Sequence, residues 1–220
     1  IISDQIKLDL PAIILNIGGI SNVTIIKKYN DESNLTSRDI GPGNCMIDTW
    51  VRKNSNQKFD NDGSLASRGS VNEVIFENGL ELFGNKIIED KTFSLDVNNF
   101  DISFARGLSL EDGAATLTDL TARIIGASLS SSVSRIQNKM LKVLVCGGGR
   151  KNKFFMKKIR ENSSSNLIIK PIDDYGINGD FVESQAFAFL AIRSILKLPI
   201  SFPGTTGCLK SCSGGEVVEN

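Results

Sequence analysis

Lys142-Val143-Leu144-Val145-Cys146-Gly147-Gly148-Gly149-Arg150-Lys151-Asn152 is the stretch that decides the fold class. Its continuous apolar run predicts a strand buried on both faces, and the Phe154, Phe155 and Ile159 that follow predict a helix. Three consecutive glycines between them are costly in unfolded-chain entropy, which calls for close approach of a ligand or of another backbone. A strand, a glycine bend and a helix start together offer N–H groups and a positive dipole end to an anion. The bend is not a Walker loop, because no Gly-Lys-Ser/Thr tripeptide occurs.

The same pattern recurs upstream. Ala12-Ile13-Ile14-Leu15 reads as another buried strand, and Val23-Thr24-Ile25-Ile26 resumes it after the bend Asn16-Ile17-Gly18-Gly19-Ile20-Ser21-Asn22. This predicts a hairpin whose bare backbone could approach a phosphate. Leu167-Ile168-Ile169 is a third short strand. Ser109 caps a long proline-free helix through Val133, with Asp112 as its capping-box acid and an Asp119–Arg123 pair on its exposed side. A late helix, Ser184 to Leu196, carries Ala186, Phe187, Leu190 and Ile195 at helical spacing, with small alanines for close packing. Strands alternating with helices give an α/β protein.

Asp39-Ile40-Gly41-Pro42-Gly43-Asn44-Cys45 places an acid before a turn and a helix start. Lys27 to Ser37 reads as a polar loop, Gly41-Pro42-Gly43 as a tight turn, and Asn44 as the cap of a helix with Met46, Trp50 and Val51 on one face. Asp39 is then left beside free helix N–H groups, placed for polar chemistry. Gly41-Pro42-Gly43 is not a dinucleotide fingerprint, since Met46 holds the third glycine position. Asp60-Asn61-Asp62-Gly63 lacks the further ligands of a calcium loop and reads as a turn.

Composition narrows the function. Lys+Arg and Asp+Glu are equal at 25 each, so there is no basic field for nucleic acid or an anionic membrane. The longest apolar stretch, from Ala186 to Leu198, is too short to span a bilayer. Cys45, Cys146, Cys208 and Cys212, with no histidine in the chain, do not form a zinc site and read as reduced thiols of a cytoplasmic protein. No signal peptide precedes them, and Ile1 in place of an initiator Met predicts a chain that begins mid-protein.

Five stretches in fixed order carry a resemblance: NIGGISNVT from Asn16, DIGPGNCMIDTW from Asp39, LEDGAATLTDLTA from Leu110, VCGGGRKN from Val145 and DDYGINGDFVESQAFAFLAIR from Asp173. The chain resembles the anhydro-N-acetylmuramic acid kinase family of the actin-like ATPase (ribonuclease H-like) superfamily. The resemblance implies a mixed sheet flanked by helices, ATP with magnesium, and an amino sugar opened and phosphorylated in peptidoglycan turnover. It implies Gly18, Gly19 and Asn22 at the ATP phosphates, and Gly147, Gly148, Gly149 and Asn152 at the adenosine. Asp39 becomes the general base, with Gly41 and Glu183 contacting the sugar and no protein metal ligand assigned.

Two departures accompany it. Lys91-Thr92-Phe93-Ser94-Leu95-Asp96 stands where many members have Lys-Ser-Thr-Gly-Arg-Glu. The family's first phosphate loop and an arginine- and glycine-rich sugar segment are absent, so residues 1–220 read as the C-terminal part of a two-lobed kinase, lacking the N-terminal lobe and inactive alone. Family members tend to be dimers. The competing readings are a non-catalytic nucleotide- or sugar-binding module and a plain scaffold.

Overall fold

The computed structural model describes residues 8–28, 34–84, 87, 94–134, 136 and 140–218, in which five strands form one mixed sheet ordered β3-β2-β1-β4-β5. β1 (Ala12–Ile17) and β4 (Leu141–Cys146) lie parallel at its centre, and β5 (Leu167–Pro171) runs parallel beside β4. β2 (Ile20–Ile26) folds back antiparallel on β1 as the hairpin pattern predicts, and β3 (Leu35–Pro42) pairs antiparallel with β2. Ile13, Leu15, Val143 and Val145 are fully buried, as continuous apolar runs in central strands must be.

One face of the sheet is covered by the long helix α3 (Leu110–Val133), with α1 (Cys45–Asn54) and α4 (Lys153–Glu161) on either side of it. Between α1 and α3 in the chain comes α2 (Glu73–Gly79), which packs on α3 and is extended by one wider turn, Leu80–Gly84. Trp50, Leu117, Leu120, Ile124 and Phe155 fill the interface with the strands. Trp50 fits because Gly113 has no side chain: a Cβ there would lie 2.1 Å from the indole. The indole Nε1 donates to the Leu110 carbonyl at 2.9 Å, so the polar end of this buried ring is satisfied. The opposite face has a smaller cluster of Leu8, Ala12, Leu144, Cys146 and Ile172.

Several expectations change. The segment read as a loop ending in a Gly-Pro-Gly turn is instead strand β3 from Leu35, which keeps pairing through Gly41 and Pro42 across a bulge opposite Ser21/Asn22. Thr36, Ser37, Arg38 and Asp39 are all half-buried, so this edge strand has no apolar alternation for the sequence to display. Asp112 accepts the Ser70 N–H at 2.8 Å while Ser109 caps α3, so its carboxylate ties a loop to the helix instead of closing a capping box. Asp119 reaches Lys158 on α4 at 2.8 Å. The late helix is real, α5 (Val182–Ile195), yet none of its residues is buried, and Phe187, Ile192 and Ile195 are more than half exposed. No described helix is long and apolar enough to cross a membrane.

Candidate functional site

The two glycine bends meet at the C-terminal ends of the parallel strands β1 and β4, and Asn44 lies between them. Its side chain does not cap α1, as the sequence suggested; Nδ2 donates to the Gly18 carbonyl at 3.1 Å. The backbone N–H groups of Gly43, Asn44 and Cys45 donate to Gly19, Gly18 and Gly19 carbonyls at 2.8, 2.8 and 3.2 Å. The N–H groups leading into α1, from Gly43 to Cys45, are therefore spent on the first bend and do not stand free beside Asp39. Such contact needs Gly43, since a Cβ there would lie 2.2 Å from the Gly18 oxygen. Gly18 N–H bonds the Ile20 carbonyl at 3.2 Å, closing the loop on itself.

The triple glycine divides by role. Gly147 has φ +80°, and a Cβ there would meet Asn16 Oδ1 at 2.4 Å and the Ile17 carbonyl at 2.5 Å, while one on Gly149 would meet Ile17 Cγ2 at 2.3 Å. Both are demanded by the approach of β1. Gly148 has nothing nearer than Asn44 Nδ2 at 4.0 Å. It opens on a cleft of about 340 Å³ shared with Asn44, Asp48, Asp60, Lys151 and Asn152. Asn152 caps α4, accepting the Phe155 N–H at 2.9 Å. Burial pushes Asp48 up to about 6, against the pull of Arg52 and with Asp60 adding to the rise. Asp60 itself is buried and accepts the Leu65 and Ala66 N–H groups at 2.7 and 3.0 Å, which makes it the hub of its turn.

Asp39 lies on the other side of the first bend, opposite Asn22 in the β2–β3 ladder. It is half-buried, and its Oδ2 accepts the Leu95 N–H at 2.7 Å, which orients the carboxylate. It lines a second cleft, of about 750 Å³, with Asn22, Ser37, Arg38, Ser94 and the turn Pro203–Gly207. Arg38 is turned toward α3, donating to the Ser128 carbonyl and Ser132 Oγ at 3.1 and 2.6 Å. Gly41 is buried, with φ +149° and Ile124 only 2.8 Å from where a Cβ would stand. Of Lys91–Asp96, Lys91 to Phe93 fall outside the described residues. Ser94 and Leu95 belong to the Asp39 site.

Glu183 is exposed in the first turn of α5, near enough to Cys146 at the end of β4 to raise that thiol's pKa further. Three strand spacings, ~14 Å, separate β4 from β3, so Glu183, beside β4, and Asp39, on β3, stand well apart along the strand edge. Cys45 and Cys146 are free and buried, which pushes both thiols up to about 11 and leaves them without thiolate chemistry.

Sequence reasoning missed Arg150 and the Pro203–Gly207 turn, and it read Asn44 only as a helix cap. The Arg150 side chain is buried and forks onto Asp173 at 2.6 and 3.0 Å, Asp180 at 2.9 Å and the Gly147 carbonyl at 2.9 Å. It clamps the triple-glycine bend to the loop that launches α5. These hydrogen bonds hold Asp173 at about 2. Among the described residues no group of three or more His, Cys, Asp or Glu gathers to hold a metal ion.

The family model described as anhydro-N-acetylmuramic acid kinase matches residues 6–220. A protein of that name from Pelagibacter ubique is 48% identical over 217 residues, 99% of this chain and 57% of the relative. Relatives of the same name from Zymomonas mobilis and Methylorubrum populi are 39% and 38% identical, with 94% and 95% of this chain aligned to 54% and 52% of theirs. The chain thus spans about half the length of the curated relatives it matches.

Proposed function

The chain belongs to the anhydro-N-acetylmuramic acid kinase family, and from that premise we propose that the full-length protein uses ATP and water to convert 1,6-anhydro-N-acetylmuramic acid to N-acetylmuramic acid 6-phosphate and ADP. The observation that carries this reading is the placement of Asp39: an oriented carboxylate in one cleft, with the Gly18–Gly19 bend between it and the other cleft, at Gly148. That order, acid, phosphate loop, nucleotide loop, suits in-line transfer from a nucleotide to an acceptor beside the acid.

Asp39 takes one proton from the water that attacks the anomeric carbon. As the new C1–O bond forms, the bond from C1 to the anhydro oxygen breaks, and that oxygen accepts the γ-phosphoryl group while ADP departs. Gly148 lets the nucleotide approach the backbone, and Asn44, bonded to the Gly18 carbonyl, sits against the second loop at Gly149. Glu183 is the proposed second sugar contact; standing well apart from Asp39, it requires a ligand or neighbouring structure that spans the gap. Magnesium comes with the ATP phosphates and waters, as that ion usually binds. The mixed sheet with glycine loops at the ends of its parallel strands supports the actin-like ATPase class. Phosphoryl transfer needs clamping from two lobes, so turnover is assigned to the longer protein and not to these 220 residues alone.

The test is product analysis. Full-length protein given ATP and the anhydro sugar is expected to yield ADP and a sugar phosphate heavier than the substrate by one water as well as one phosphoryl group. A product that keeps the anhydro ring refutes the hydrolytic role of Asp39, and ATP binding without turnover returns the chain to a non-catalytic module.

A further inference from the structure

The segment that follows α5, Pro199 to Cys212, has a defined seat. In the last turn of α5, Arg193 Nε donates to the Pro199 carbonyl at 2.6 Å and its guanidinium lies over the Phe189 and Phe202 rings, 5.4 and 5.8 Å from their centroids. Ser201 and Cys212 exchange backbone hydrogen bonds at 3.2 and 3.1 Å, closing the loop between them. The one-turn helix Pro203–Thr206 then rests on β3, where a Cβ on Gly204 would lie 2.3 Å from the Leu35 carbonyl oxygen. At 14 residues α5 is ~21 Å long, enough to cross the ~14 Å from β4 to β3. α5 therefore acts as a strap that carries this segment from the Arg150 clamp to the Asp39 cleft.

Resting on the kinase reading above, we propose that Thr205 and Thr206 recognise the amino sugar as hydrogen-bond acceptors. Both hydroxyls spend their proton on the Phe202 carbonyl, at 3.1 and 3.3 Å. A hydroxyl that donates elsewhere has only lone pairs left to offer. Thr205, half-buried, and Thr206, exposed, line the cleft that holds Asp39. They therefore select a ligand that presents donors, such as a sugar hydroxyl or an acetamido N–H, over the bare oxygens of a phosphate or carboxylate. Threonine thus confers specificity on the acceptor site without entering the chemistry.

The experiment compares T205V and T206V with wild type in the full-length protein, measuring KM for the anhydro sugar and for ATP. Losing one neutral hydrogen bond raises the sugar KM by roughly three- to tenfold. The ATP KM stays unchanged, and T205S and T206S recover wild-type values. A sugar analogue with its acetamido nitrogen methylated, or one hydroxyl replaced by hydrogen, binds wild type more weakly but is bound equally by the matching valine variant. Wild-type sugar KM in both valine variants, with melting temperatures intact, overturns the inference and leaves the kinase reading standing. A wild-type protein that neither binds nor phosphorylates the sugar refutes both.

Discussion

Substituting Ala in turn at Gly147, Gly148 and Gly149 separates glycines required by the fold from the one kept for a ligand. At Gly149 the new methyl would lie 2.3 Å from Ile17 Cγ2 and 2.9 Å from its Cβ, in a fully buried contact. Overpacking of this kind costs ~1–3 kcal/mol. Gly147 adds a positive φ and backbone atoms that cannot swing away, for a total of ~2–6 kcal/mol. Gly148→Ala meets no atom closer than 4.0 Å and has no positive φ, so reduced freedom of the unfolded chain stabilises it by ~0.4–1 kcal/mol. Urea unfolding followed by circular dichroism should rank Gly148→Ala at or above wild type, then Gly149→Ala, then Gly147→Ala. In the full-length protein, ATP at a hundred times its Kd should stabilise wild type by ~2.7 kcal/mol and Gly148→Ala by much less. A Gly148→Ala protein that unfolds as early as Gly147→Ala, or that keeps the whole ATP response, refutes this division of roles.

Two further predictions concern charge. Asp48 binds its proton more tightly folded than unfolded, so its contribution to stability is present below about pH 4 and lost as pH rises through about 6. Asp48→Asn should therefore gain ~1–3 kcal/mol over wild type at pH 7.5 and almost nothing at pH 4 in matched urea titrations; an equal difference at both pH values contradicts the burial argument. Asp173 shows the opposite sign: held at about 2, it stabilises the fold above about pH 4 and loses that contribution as pH falls toward 2. Because Asp173 is about half exposed and Asp180 still holds Arg150, Asp173→Asn should cost only ~1–2 kcal/mol at pH 7, with the difference closing near pH 2. A pH-independent difference removes the ion pair as its cause.

How much the sequence disclosed depended on the range of the interaction. β1, β2, β4 and β5 were legible because their apolar runs are local and uninterrupted, and α3 because Ser109 caps a long proline-free segment. β3 was not legible: an edge strand of Thr, Ser, Arg and Asp owes its conformation to pairing with β2 and to α3 beneath it. Asn44 has the side chain of a cap, yet the Gly18 carbonyl, 26 positions away, competes for it and wins. Nothing local in Arg150 points to Asp173 and Asp180, 23 and 30 positions on. The α5 pattern suggests close packing, whereas only its start reaches the smaller cluster, through Val182, and Phe187, Ile192 and Ile195 stay more than half exposed. The glycine bends are legible because glycine is itself the signal, but only the fold distinguishes Gly148, open to a cleft, from Gly147 and Gly149, which face β1.

The most direct test of the central claim is Asp39→Asn in the full-length protein, measured for sugar turnover and ATP affinity together. Asparagine keeps an acceptor for the Leu95 N–H but removes the charge that takes the proton. The account predicts unchanged ATP binding, an intact fold and a rate of sugar phosphate formation lower by ~10²–10⁴. Turnover within a few-fold of wild type would contradict it and remove Asp39 from the role of base.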